Sequence, residues 1–352
     1  MTEPSNPAAF FASTRVLEPE QIAMQAGQRV PFLRLPQRAT VFADRGLRLR
    51  QLAAGHPMRD YLLFVADIAQ AQHEALQHHP DVKLPDLAAI EAASQALRPP
   101  LPADLWPRDP AWRAVLRQVL GPLRDRLPEG PARETVQRVL DADSDWLERQ
   151  AGLITQGIMF GLDLGTAPLV AAGLQAYFTH MAIATAEEHG ALRAFGVTEP
   201  LTRCPCCGSA PTAGVIRIGA DDAGVRYLHC ALCSTQWHYV RIKCAHCEST
   251  KGIHYQSLEP EGEAAPERPV GLKPGAVRAE CCDECGHYLK LVAMDRDPEV
   301  EAVADDLASL PLDLLVSEAG HQRTGHNLML LFGDPEPEAA SANHPPDDGG
   351  GG

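Results

Sequence analysis

The chain has 352 residues, enough for more than one domain and a substantial core. Its formal net charge is −15, and Arg and Lys in the cysteine-rich part stand singly among Asp and Glu, without a basic stripe or regularly spaced aromatics. That balance argues against nucleic acid as a partner and against electrostatic attachment to an anionic membrane.

The opening residues, MTEPSNPAAFFASTRV, are acidic early and lack the basic and apolar regions of a secretory signal, and no twin-arginine pair is present. Cysteines in metal-type spacing suit a reducing compartment better than a disulfide framework. A cytoplasmic location is therefore expected.

Residues 1–198 read as an all-α domain divided by Pro and Gly. The spacing predicts helices over 39–54, with Val41, Leu47, Leu49 and Leu52 as its apolar positions, and over 58–77, with Tyr61, Leu62, Val65, Ile68 and Leu76. Further helices are expected at 85–97, 110–120, 131–156 and 167–188, with Pro110 and Pro168 in first turns. Residues 164–186 contain no Asp, Glu, Lys or Arg and approach the length of a membrane span. Val170, Leu174, Tyr177 and Met181 recur there at helical spacing among Ala, Gly and Thr, so a helix buried in a bundle is expected rather than membrane insertion. His73, His78 and His79 gather at a helix end, where imidazoles suit the negative pole of the dipole. The chain has no P-loop, dinucleotide glycine fingerprint, G-x-S-x-G or H-E-x-x-H. No catalytic residues are assigned, and the sequence offers no support for an enzyme.

All ten cysteines fall between Cys204 and Cys285. Eight form four C-x-x-C pairs: Cys204/Cys207, Cys230/Cys233, Cys244/Cys247 and Cys282/Cys285. One such pair on a tight turn presents two thiolates to a metal, and two pairs complete a tetrahedral S4 site. Four pairs therefore predict two metal ions. Gly208 and Gly286 follow the first and last pairs, where a knuckle turn needs positive φ. Apolar runs at Val215–Ile218 and Val225–Leu228, joined by a polar turn with Asp221, Asp222 and Gly224, predict a hairpin between knuckles. The second half repeats the plan with IHYQSLE and AVRAECC on either side of a Pro/Glu/Gly-rich excursion at 259–275. An internal duplication follows, with the first pair joined to the second and the third to the fourth.

A closed S4 shell suits a structural staple, although redox-active iron or a dithiol role would use the same ligands, and spacing does not separate zinc from iron. Cys206 and Cys281 are left over as buried small residues, substitute ligands or reactive thiols. His229, His246 and His287 flank the pairs and are expected to orient the knuckles or face solvent. Trp237 and Tyr239 are expected to pack on a knuckle. YLKLVAMD reads as a strand. Residues 298–333 then form a helical segment striped by Leu307, Leu310, Leu314 and Leu315, and 334–352 form a disordered tail. The whole is an α+β chain: a helical domain (1–198), two small rubredoxin-like or zinc-ribbon modules (199–242 and 243–297) and a C-terminal helix.

The CPCCGSAP knuckle, the run from Cys230 to Cys247 with Trp237, Arg241 and Lys243, the CDECG-x-Y-L-K ending and the segment DDLASLPLDLLVSEAGHQRTGHN together resemble the FdhE family of formate dehydrogenase accessory proteins. The likeness is detailed over the cysteine region and C-terminal helix and in outline over the helical domain. It implies a non-catalytic maturation factor that binds the catalytic subunit of a respiratory molybdenum formate dehydrogenase in the cytoplasm, before twin-arginine export. It also implies rubredoxin-like iron as the favoured metal, with zinc the alternative, held by Cys204, Cys207, Cys230, Cys233, Cys244, Cys247, Cys282 and Cys285. The alternative function is a redox protein acting on a client through such iron or through C-x-x-C dithiols. A homodimer is compatible with the sequence.

Overall fold

The structure, a computed structural model, describes residues 30–219, 224–258 and 271–331. The amino-terminal reading, Asp221 and Asp222 of the predicted turn, most of the 259–275 excursion and the 334–352 tail lie outside the described residues.

The helices follow the Pro/Gly punctuation. They are α1 (Val41–Ala53), α2 (Arg59–Gln77), α3 (Leu87–Gln95), α4 (Ala111–Arg126), α5 (Pro131–Asp141), α6 (Ser144–Gln156), α7 (Ala167–His189) and the single turn α8 (Ala191–Ala194). The helix predicted over 131–156 is two helices. Ala142 leaves the helical region and the Asp143 carboxylate accepts a hydrogen bond from the Trp146 amide at 2.8 Å, which starts α6 afresh. The helix predicted to end at 120 runs on past Gly121-Pro122 to Arg126.

In α2, Leu62, Val65, Ile68 and Leu76 are buried as their spacing predicts, with Tyr61 partly so. In α1 the prediction fails at Leu47, which is 61% exposed, while Arg45 and Arg48 are buried beside Leu49 and Leu52. The arginines occupy the inner face because carboxylates from the far end of the chain meet them there. Arg48 donates twice to Asp305, at 2.6 and 2.9 Å, and once to Asp297 at 2.8 Å.

Helix α7 is the central post of the bundle. It is long and apolar enough to cross a membrane, yet protein covers it on nearly all sides, including Val170, Leu174, Tyr177 and Met181. Gly173 permits the approach of α4, since a Cβ there would lie 2.8 Å from the Leu116 side chain. At the outer edge of α7 the His180 ring stacks on His79 with centroids 3.8 Å apart, and Arg38 donates to His180 Nδ1 at 3.1 Å.

Burial, with the charges of His79 and Arg38 adding to it, pushes the His180 pKa down from 6.5 to about 3. A histidine with a depressed folded pKa contributes stability that is complete above its unfolded value and lost as pH falls from 6.5 toward 3. Urea midpoints at pH 7 and pH 5 should therefore differ less in His180→Gln than in the parent chain. An equal drop in both would show that this stacked pair carries none of the acid sensitivity.

Strands β1 (Leu33–Arg34), β2 (Pro211–Ile216), β3 (Arg226–Cys230), β4 (Gln236–His238), β5 (Ile253–Gln256), β6 (Val277–Cys282) and β7 (His287–Ala293) form one sheet in the order β1-β4-β3-β2-β7-β6-β5, and β8 (Gln322–Arg323) also pairs with β7. The predicted hairpin is the antiparallel β2/β3 pair, and IHYQ and VRAECC form the antiparallel β5/β6 pair. The two cysteine-bearing halves meet at the parallel β2/β7 seam, where Gly214 faces Leu291. A Cβ on Gly214 would lie 2.3 Å from Leu291 Cδ2, so a larger residue there would force that buried leucine side chain to shift.

The C-terminal segment is two helices, α9 (Ala302–Ala308) and α10 (Leu310–Glu318), separated at Ser309-Leu310-Pro311. The break resets the helical phase. Leu307 is buried, but Leu314 and Leu315 are 58% and 52% exposed, and Leu312 and Val316 fill the core in their place.

One hydrophobic core runs from the helices into the sheet. It joins Leu49, Val65, Leu116 and Phe178 to Cys204, Cys230, Leu228 and Trp237. The helical region and the first cysteine knuckles are therefore packed as a unit.

Candidate metal centres

The four C-x-x-C turns share one local geometry. The residue after the second cysteine takes positive φ in every case: Gly208 (+76°), Ser234 (+58°), Glu248 (+62°) and Gly286 (+66°). The glycines were visible in the sequence; Ser234 and Glu248 adopt a conformation that costs a side-chain-bearing residue energy. In the first three knuckles the amide of the leading cysteine bonds back five residues on, Cys204 to Ser209, Cys230 to Thr235 and Cys244 to Ser249, at 2.8–3.0 Å. Repetition of this loop is the structural form of the inferred duplication.

The knuckles pair first with second and third with fourth. In one cluster Cys204 Sγ lies 3.5 Å from Cys233 Sγ, and Cys207 Sγ lies 3.4 Å from Cys230 Sγ. In the other, Cys244–Cys285 and Cys247–Cys282 are 3.7 and 3.8 Å apart. Bonds of about 2.3 Å from sulfur to a tetrahedral metal imply S···S edges of about 3.8 Å, so both sets fit such an ion, the first after slight expansion. Iron and zinc both take four thiolates at this spacing.

Amides already point at sulfur. Leu232 and Cys233 donate to Cys230 Sγ at 3.4 Å, and His246 donates to Cys244 Sγ at 3.3 Å. Without a cation the four sulfurs cannot all ionise. Burial pushes the Cys204 and Cys230 thiols well up, while hydrogen bonds from Cys204 and its neighbours overcome burial at Cys233 and hold that thiol down. The same division recurs in the second cluster, where burial raises Cys244 and Cys285 while the Ser249 amide and the neighbouring thiols lower Cys247. A bound di- or trivalent cation removes this conflict by compensating the charge of four thiolates at once.

The two clusters differ in surroundings. The first is wholly buried and is gripped by the helical region. Leu101 and Ala103 donate their amides to the Cys206 and Cys207 carbonyls, Gln175 of α7 donates to the Ala231 carbonyl at 2.7 Å, and Arg45 donates to Ser234 Oγ. The second lies toward the surface, with Cys247 exposed and Cys285 half-buried.

Of the flanking histidines, none enters either set of four. His246 and His287 stack on each other with centroids 3.6 Å apart, and buried His229 has its pKa lowered to about 4 by desolvation. Trp237 and Tyr239 pack inward as expected, donating to the Leu201 and Cys244 carbonyls at 2.9 and 2.8 Å.

Both leftover cysteines are buried. Cys206 sits beside the first cluster and receives a hydrogen bond from Thr235 Oγ1 at 3.6 Å. Cys281 turns away from the second cluster toward His254 and His321. Burial, reinforced by Asp283 and Glu280, pushes its thiol up to about 11. The histidines carry no motif that would single them out in the sequence. The parity of the strand gives the one clue, since adjacent Cys281 and Cys282 must face opposite sides of the sheet.

Three family profiles match in succession: FdhE, N-terminal, over residues 30–191; FdhE, central domain, over 203–241; and FdhE, C-terminal domain, over 242–330. A protein FdhE homolog of Klebsiella pneumoniae and another of Cronobacter sakazakii are each 35% identical over 331 residues, covering 92% of this chain and 100% of their own. The FdhE protein of Salmonella dublin matches with the same identity and coverage. The crystal structure of the FdhE protein from Pseudomonas aeruginosa superposes with a TM-score of 0.74 at 36% identity, covering 86% of this chain and 100% of that one.

Proposed function

Since the chain belongs to the FdhE family, we propose that it is a non-catalytic, cytoplasmic maturation factor that binds the catalytic subunit of a respiratory molybdenum formate dehydrogenase before twin-arginine export. The observation that carries this reading is the pair of closed tetra-cysteine clusters on one sheet, the first bonded directly to the helical region. Cys204, Cys207, Cys230 and Cys233 hold one metal ion, and Cys244, Cys247, Cys282 and Cys285 the other, with iron favoured over zinc by the family likeness. A closed S4 shell leaves no position for substrate, and its contribution is to lock the knuckles and the surface they present. The client is held by a rigid face, so binding needs the metal without using its chemistry.

Pull-down of the formate dehydrogenase catalytic subunit by purified chain tests this. Capture should be lost in Cys247→Ser/Cys285→Ser, a variant whose helical region keeps its own core. Undiminished capture by that variant, shown by elemental analysis to lack the corresponding metal, would sink the role given to the second cluster.

A redox reading is favoured by one feature, the solvent-exposed Cys247 edge of the second cluster. An iron ion there would accept one electron and pass it on through that edge, cycling between its ferric and ferrous forms. Dithionite bleaching coupled to client activation would mark it; client activation by a zinc-loaded chain would exclude it.

A further inference from the structure

Cys282 belongs to the second cluster, but Cys281, its neighbour on β6, points to the opposite face and is fully buried. His254 stands directly across from it on β5, and His321 leads into β8 on the far side of β7. One ligand atom from each of these three residues lies within 4.8 Å of the other two, and the imidazole rings meet edge to face with centroids 5.4 Å apart. We propose that His254, Cys281 and His321 form a third metal site, suited to a divalent ion of the zinc class and distinct from both tetra-cysteine clusters.

The surroundings point to a cation. His321 has a side chain only 12% exposed, and its buried Nδ1 has no hydrogen-bond partner among the described residues. Gln256 Nε2 lies 3.3 Å from His254 Nε2, and a metal on His254 Nδ1 requires that side-chain amide turned so that its oxygen accepts the ring N–H. Asp283 places one carboxylate oxygen 3.5 Å from His254 Nδ1 and 3.6 Å from His321 Nε2.

Thiolate, two imidazoles and a neighbouring carboxylate form a borderline-soft donor set that matches Zn2+ better than Mg2+ or Ca2+. Bonds of about 2.1 Å to nitrogen and 2.3 Å to sulfur require the three groups to draw together by roughly 1 Å, within the reach of side-chain rotation. As the metal binds, the Cys281 thiol gives its proton to solvent. Three protein ligands leave a fourth position beside the exposed Asp283, available to its carboxylate or to water. The closed clusters have no such position.

The test is zinc stoichiometry of the full-length chain, dialysed against Zn2+ and then freed of excess, alongside His254→Gln/His321→Gln and Cys281→Ala. The parent chain should retain one equivalent more than either variant. Cobalt loading should show a thiolate-to-metal band that both variants lose while bands from the tetra-cysteine clusters persist. Because the reading is a difference between chains, it holds whatever metal those clusters carry and whatever the client is. Should Cys281→Ala fail to fold, the histidine variant decides alone, since its two side chains are less deeply packed. Equal zinc in the parent and either folded variant would overturn the proposal.

Discussion

Cys204→Ser/Cys207→Ser should lose one metal equivalent and fall in stability on the order of 5 kcal/mol or more, a large part of what a domain possesses. The first cluster lies inside the main core with Leu228, Trp237 and Phe178. Its loss leaves two unbound thiols and two serine hydroxyls at a site where burial already penalises charge. The damage should spread, because the Cys206 and Cys207 carbonyls anchor Leu101 and Ala103, and the Ala231 carbonyl anchors Gln175. Cys247→Ser/Cys285→Ser should also lose one equivalent but lower the melting temperature far less, since those sulfurs are exposed or half-buried. Thermal unfolding with elemental analysis of each variant reads both quantities. Equal loss of stability in the two variants would contradict the assignment of the first cluster as the structural one.

Asp306→Leu should destabilise the chain by about 3–5 kcal/mol, the cost of breaking a buried ion network by removing one partner. Asp306 is 1% exposed and accepts from Arg323 at 2.6 Å and Asn327 at 2.8 Å, with the fully buried Lys290 ammonium 3.1 Å away. The positive charges of Arg323 and Lys290 outweigh burial and hold its carboxyl below the usual range. Without Asp306 both cations must share Asp313, which lies 2.6 Å from Lys290 and 3.0 Å from Arg323. One positive charge is then left in the core uncompensated. Lys290→Met combined with Asp306→Leu restores neutrality by leaving Arg323 with Asp313, and should recover most of the loss. Urea unfolding of the two single variants and the double variant measures the coupling. Additive losses would mean that the four charges do not act as a network.

The two tetra-cysteine clusters and the helical region were legible in the sequence because their rules are local. A C-x-x-C turn carries its geometry within a few residues, and α2 and α7 announce themselves by apolar spacing at Leu62, Val65, Val170 and Leu174. Even the pairing of the knuckles follows from hairpins joining neighbours in the chain. The local rules fall short where neighbouring segments compete, as when Asp143 restarts a helix and Pro311 shifts the phase of the C-terminal stripe, exposing Leu314 and Leu315. Only the tertiary structure decided that Arg48 faces inward, because its partner Asp305 is 257 residues away. It likewise joined the two cysteine modules into one sheet through Gly214 and Leu291, and brought His321 to Cys281 and His254. A buried charge, a strand seam or a convergent ligand set is specified by what arrives from elsewhere in the chain, and no spacing within one segment encodes it.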